Sequence, residues 1–312
     1  MTAQQGVPPP LPVDEAPPRP KREIVIETFI RIAGVSTIVI IILIFAFLLK
    51  EGIPAFFKVS ITGLLARRWY PIEGMYGLLP LLVGSLLVTL GAVVIAVPLG
   101  LTTAVFLGEL APPWLREILK PIIEVLAGIP SIVLGFLGWV VLAPAIQNMG
   151  APSGLTAFTG SLILAYMALP TIISITEDAL YAMPKEYRDG SLALGATQWQ
   201  TIYKVVLPAA RSGVVMAVML GIGRAIGETM AVMLVTGNAA NIPPLNGSIY
   251  FQPIRTMTAT IAAEMGEVAS GSLHYNVLFA IGILLFVITF LINSLATKLI
   301  GGNGNRRRGG QI

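Results

Sequence analysis

From residue 77 to residue 110 the chain carries almost no charge, a run too long for one membrane span and too short for two, divided by Pro98. A helix needs about 20 apolar residues to cross the hydrocarbon core. Inside that core backbone polar groups must be satisfied within the segment, so a run of this kind folds as helix or not at all. Proline inside such a helix kinks it, and the spacing predicts one long helix that bends near 97–100 and continues past the membrane face, with a hairpin of two short helices as the alternative. Five further apolar runs follow the same rule, at about 29–49, 121–146, 155–175, 213–236 and 276–299. The expected fold is all-α, a polytopic membrane protein with six transmembrane helices. The third helix is expected to break at Gly128-Ile129-Pro130-Ser131.

Composition agrees with this reading. Of 312 residues, 55% are hydrophobic and 12% charged, against about 25% charged in a soluble domain. There is no Cys and one His, His274, which excludes a disulfide framework and disfavours zinc or histidine-base chemistry. The net charge of +4 gathers near segment ends, where it reports orientation rather than nucleic-acid binding.

The connections place the ends. Residues 1–28 read as a disordered, Pro-rich tail, and 301–312 as a basic tail carrying Arg306, Arg307 and Arg308. Arg19, Lys21 and Arg22 precede a full-length span without a cleavage site, so the start is not a secretory signal. Connections 111–121 and 177–211 are basic, 147–154 has no basic residue, and 237–275, with Asn-Ile-Pro-Pro and Asn-Gly turn signals, has only Arg255. Basic loops stay in the cytoplasm, so both termini are expected there. The segment 50–75, with Lys50, Lys58, Arg67 and Arg68 on the outer side, fits worst.

The stretch from Tyr181 to Pro208 is then a cytoplasmic loop with helix signals. Leu192, Leu194, Trp199, Ile202 and Val205 give it an apolar side, Gly195 interrupts it, and Pro208 limits it. Asp189 and Ser191 are capping residues and Gly190 is a weak helix former, which predicts a break at 189–191. The plainer alternative is an amphipathic helix lying on lipid. In the fifth span, Arg224 and Glu228 stand four residues apart in an apolar helix. That spacing puts both on one face, close enough to pair, with Gly223 and Gly227 allowing close backbone approach. Mutual neutralisation explains the pair but not its presence, since a charge at that depth costs at least about 2.5–3.5 kcal/mol. The functional reading is a polar path, in which Arg224 offers donors suited to an oxyanion and Glu228 holds it until the anion arrives. Pro130 and Ser131 are candidates to add freed backbone groups to that path, the alternative being a kink that only shapes packing. No G-x-x-x-x-G-K-[ST] phosphate loop occurs, so an ATPase has to be another chain.

Asp189-Gly190-Ser191, then Gly195, then Val205-Val206-Leu207-Pro208, preceded by Tyr187-Arg188 and with Leu-Gly-Ala-Thr at 194–197, resembles the "EAA" loop of ABC-importer permeases. Asp for Glu at 189, and Gly and Ser for two Ala, are departures. Residues 207–234, Glu124 to Ser131 with Gly135, and Thr256 to Met265 resemble the permeases of phosphate-specific ABC importers, of the PstC type. The resemblance covers about 70–300. It implies an ABC type I importer permease fold and a coupling segment at 184–208, with Tyr187, Arg188, Asp189, Gly190, Ser191, Gly195, Ala196, Thr197, Trp199, Leu207 and Pro208 at the ATPase. It implies Arg224 and Glu228 in the path, and an inner-membrane, non-enzymatic subunit. Its partners would be a PstA-type permease, two ATPase copies holding ATP and Mg, and an extracytoplasmic phosphate-binding protein. A permease for another oxyanion, sulfate or molybdate, and an ion-coupled secondary anion transporter are the alternatives.

Overall fold

The structure, a computed structural model, describes residues 21–244 and 248–301. The tail residues 1–20 and 302–312 and the Asn-Gly turn at 246–247 lie outside the described residues. The chain divides into two compact units, Met1–Phe47 and Leu48–Ile312. Helix α1, Lys21–Lys58, crosses that division. Residues 21–28, expected in the tail, are therefore helical, and the first helix runs nine residues beyond the expected end at 49.

The second unit is a helical bundle. Leu79–Val105 forms α2, which continues through a π-helical turn at Phe106–Leu110. The 77–110 run is thus a single helix, with Pro98 inside it. Then come α3, Pro113–Ala127, α4, Ser131–Asn148, and α5, Ala157–Tyr181. Two shorter helices follow, α6, Lys185–Ala193, and α7, Gln198–Ala209. The order ends with α8, Arg211–Gly227, α9, Met230–Val235, α10, Met257–Glu264, and α11, Leu273–Gly301. Among the described residues five helices are long and apolar enough to span a membrane, or six when α7 and α8, bent by 72°, count together.

The bundle is held by small residues that let helices approach, the usual device where lipid removes the hydrophobic drive between spans. Ile172 of α5 is wedged between two glycines. A Cβ on Gly100 of α2 or on Gly221 of α8 would come within 2.7 Å of it. Around that wedge lie Val88, Ala92 and Ala96 from α2, Leu164, Ala165 and Ala168 from α5, and Ala225 from α8. Ser161 Oγ donates to the Val88 carbonyl at 3.2 Å, tying α5 to α2. The close approach expected at Gly223 and Gly227 occurs at Gly221 instead. A Cβ at 223 or 227 would meet nothing of this chain within 4 Å.

Segment 50–75 is ordered rather than a plain loop. After α1 and a turn of helix at Ile61–Leu64, Trp69–Tyr70 (β1) pairs antiparallel with Met75–Tyr76 (β2), Trp69 opposite Tyr76 and Tyr70 opposite Met75. Trp69 is 2% exposed and packs with Tyr76, Leu81, Met257 and Leu278. Its indole donates to Glu264 at 3.0 Å, and Glu264 also holds Arg255 at 2.9 Å and His274 at 2.8 Å. Arg255, Glu264 and His274 thus form one paired cluster behind the turn. Burial pushes the Tyr76 hydroxyl above its ordinary pKa.

Candidate coupling segment and broken-helix site

The interruption expected at Gly195 is present in the coupling segment, and the further break expected at 189–191 is not. Helix α6 runs without interruption through Asp189-Gly190-Ser191 and stops at Gly195, whose φ is +83°. Ala196 N–H donates to the Ser191 carbonyl and Gly195 N–H to the Leu192 carbonyl, the two bonds of a Schellman stop. One helical glycine costs about 1 kcal/mol, whereas a left-handed position excludes most other residues, so Gly195 and not Gly190 ends the helix. The Ser191 hydroxyl is engaged with Thr201 Oγ1 at 3.0 Å. Thr197 then starts α7 with a capping box. Its Oγ1 accepts from Gln200 N–H at 3.2 Å, and Gln200 Oε1 accepts from Thr197 N–H at 2.9 Å. A second π-helical turn, Ile202–Val206, leads to Leu207 and Pro208.

The apolar residues of this segment divide between two faces. Ile202 is 1% and Val206 0% exposed, packed into the bundle with Leu180 and Ala210. Leu192, Leu194, Trp199 and Tyr203 face outward, Leu194 at 90%. Tyr187, Asp189, Gly190 and Pro208 are exposed as well.

Arg188 anchors the segment. Its guanidinium grips the Glu109 carboxylate with two bonds, Nε to Oε2 at 3.0 Å and Nη2 to Oε1 at 2.5 Å. It also donates to the carbonyls of Met183 and Leu180. One side chain thereby joins α6 to the end of α2 and the last turn of α5, and the Glu109 bond raises the Arg188 pKa further. Beside it Glu177, 2% exposed, pairs with Arg116 and with Lys120 at 2.7 Å, and Lys120 reaches Asp178 at 2.6 Å. Bonds to Asp178 and Glu177 raise the Lys120 pKa. Arg116 lies over the Tyr181 ring, 4.2 Å from its centroid. These pairs lock α3 to α5. Sequence reasoning treated 111–121 as a charged connection and missed this cluster; Arg116 and Lys120 at i and i+4 were the available signal.

The second site lies where two helices are broken. The third span is not one helix from 121. α3 ends at Ala127, Gly128–Pro130 leave helical geometry, and α4 starts at Ser131. The fifth span breaks too, which the sequence reading did not anticipate: α8 ends at Gly227, Glu228 is extended, and α9 begins at Met230. Arg224 and Glu228 are therefore not on one helical face and do not pair with each other. Glu228 Oε1 accepts from the N–H groups of Thr229 and Ala231, at 3.0 and 3.2 Å, and so caps α9. Arg224 Nη2 donates to the Ala127 carbonyl at the end of α3, at 3.4 Å. Each charge meets a helix end of opposite partial charge, where orphan N–H and C=O groups need partners. Thr258 Oγ1 holds the Glu228 carbonyl at 2.8 Å. α9 lies against α4, with Gly135 so close to Ala231 that a Cβ there would sit 2.8 Å from the Ala231 Cα. Arg224 has no ion pair among the described residues. Irregular backbone at membrane depth is tolerated only where it is buried or lines a cavity.

Comparison with known proteins fits this architecture. Residues 96–300 match the family described as binding-protein-dependent transport system inner membrane component. The chain belongs to this family. It is 41% identical to the probable ABC transporter permease protein YqgH of Bacillus subtilis over 251 residues, 78% of this chain and 80% of that protein. It is 39% identical to the phosphate transport system permease protein PstC of Mesorhizobium japonicum over 257 residues, 76% of this chain and 77% of that one. Among solved structures, a bacterial alginate ABC transporter in complex with a pentasaccharide-bound periplasmic protein gives a TM-score of 0.59 at 14% identity, covering 88% of this chain and 94% of its own. The inward-facing MetNI methionine ABC transporter gives 0.57 at 19%, covering 74% and 97%. The fold is that of an ABC type I importer permease. The chain is a multi-pass membrane subunit of this family.

Proposed function

We propose that the chain is the permease subunit of an ATP-driven importer that moves inorganic phosphate into the cytoplasm. The observation that carries the substrate is Arg224, a half-buried guanidinium without an ion pair among the described residues, set at the junction of two discontinuous helices. Guanidinium forks match phosphate oxygens, and relatives over three quarters of the chain are named phosphate permeases. Ser131 and the carbonyls freed beside Pro130 complete the path. Glu228 caps α9 and so fixes the far side of the break.

Power enters through α6 and α7. The exposed crest of Leu192, Leu194, Trp199 and Tyr203 docks on a separate cytoplasmic ATPase, present in two copies, which holds the ATP and Mg. Movement of that crest pulls on Glu109 through Arg188. The rigid pairs of Glu177 pass it to α3, whose last carbonyl touches Arg224. A second permease of the PstA type and an extracytoplasmic phosphate-binding protein complete the assembly, with both termini of this chain in the cytoplasm.

The test is uptake of labelled phosphate against labelled sulfate by the assembled complex in vesicles, with and without ATP. Phosphate uptake that needs ATP supports the reading. Preference for sulfate or molybdate reassigns the anion, and uptake driven by an ion gradient alone overturns the coupling.

A further inference from the structure

Arg67 and Arg68 are left over by the transport reading. Arg31, Arg116, Arg188 and Arg255 each pair with a carboxylate. Among the described residues Arg67 and Arg68 hold no ion pair, and both are exposed. They stand on the segment where the charge bias of membrane proteins disfavours basic residues.

Their main chain is clamped nonetheless. Arg68 bridges antiparallel to Asn241, its carbonyl accepts from Gly77 N–H at 3.0 Å, and the next N–H, of Trp69, donates to the Ala240 carbonyl at 3.2 Å. A Cβ at Gly77 would collide with the carbonyl oxygens of Ala66 and Arg68. The buried Trp69 ring, bonded to Glu264, fixes the same turn from behind. A clamped backbone thus presents two charged side chains that form no ion pair among the described residues.

Both line one groove of about 960 Å³, together with Tyr70, Asn241, Leu79 and Val83. Leu79 and Val83 belong to the first turns of α2, so the groove opens beside the helix that carries the bundle core. Glu73 is the one carboxylate on its lining, leaving a net charge of +1 there. Clefts of one sign with apolar walls concentrate field lines and raise local counter-ion concentration. A recess suits a small ion better than a convex protein surface, and adjacent guanidinia offer several N–H donors to tetrahedral oxygens.

We infer that Arg67 and Arg68 form an extracytoplasmic oxyanion-collecting site, which takes a tetrahedral anion of phosphate chemistry at the mouth of the permease. The inference rests on the orientation and substrate proposed above. Because the arginines are exposed, the site is weak and screened by salt; it gathers the ion rather than storing it.

Phosphorus NMR of inorganic phosphate tests it, with the complex assembled in nanodiscs without the extracytoplasmic binding protein. An Arg224→Gln background removes the path arginine from the signal. At low ionic strength that complex should broaden the phosphate line, and adding Arg67→Gln and Arg68→Gln should cut the excess width at least about threefold. Lys at both positions should keep most of it, which also shows that the segment still folds. Equal broadening with and without the two arginines overturns the site. So does a variant that keeps the broadening but no longer retains the binding protein, since the arginines would then meet an acidic protein surface. A wild-type complex that broadens the line yet carries no phosphate would sink the transport reading and leave this one standing.

Discussion

Arg188 and Arg224 lie on helices of the same bundle, yet they are engaged in opposite ways. Arg188 holds a carboxylate with two bonds and two carbonyls besides, as a fastener does. Arg224 reaches a single helix-end carbonyl at 3.4 Å, and its neighbour in sequence, Glu228, is occupied by the N–H groups of α9. At the coupling end charge is neutralised side chain against side chain, which fixes helices to one another. At the broken helices charge is balanced against backbone, which leaves guanidinium donors without a partner among the described residues. On the proposed function, the difference separates transmission from recognition.

The comparison can be broken first at the fastener. Arg188→Ala leaves Glu109, whose side chain is 7% exposed, without its cation, and breaking such a pair costs about 3–5 kcal/mol. Phosphate-stimulated ATPase of the complex should collapse, and hydrogen exchange over α6 should rise; retained coupling would show that the segment does not act through this bond. Glu177→Gln should cost less, because its partners Arg116 and Lys120 are 25% and 31% exposed and can turn to water. The expected loss is about 1–3 kcal/mol, read as a lower melting temperature. Gly195→Ala forces a Cβ into φ +83°, a strain of about 1–2 kcal/mol, and should lower ATPase coupling while the subunit still inserts. Thr197→Ala removes the α7 cap, worth about 1 kcal/mol, and should give the smallest loss of coupling of the four.

Much of this was legible in the sequence. The apolar runs marked the five longest helices, and 77–110 read as one helix because it is short for two spans and carries no charge before Glu109. The Gly128-Ile-Pro130 break was visible in its own Gly and Pro. The α8–α9 break was not, because Arg224 and Glu228 at i and i+4 also fit one continuous helix, whereas Glu228 is extended and holds the N–H groups of Thr229 and Ala231. The interruption at Gly195 was legible, but the further break expected at 189–191 is absent, since local propensity weighs Gly190 and Gly195 alike while the Arg188 anchor and the Schellman bonds favour the second. Arg188 and Glu109 are far apart in the chain, and no spacing rule joins them. Helix α3 was hidden by its charges, although Trp114, Ile118, Ile122 and Val125 follow a helical period along one exposed face.

The most direct measurement of the central claim is phosphate uptake by the assembled complex carrying Arg224→Gln or Glu228→Gln, at matched expression. If Arg224 meets the anion and Glu228 only caps α9, losing the arginine removes charged hydrogen bonds of about 1.5–3 kcal/mol, a drop of at least tenfold. Losing the carboxylate charge should then cost only a few-fold, because the amide oxygen still accepts the two N–H bonds. Equal losses in the two variants, or uptake by Arg224→Gln that matches wild type, would contradict the account.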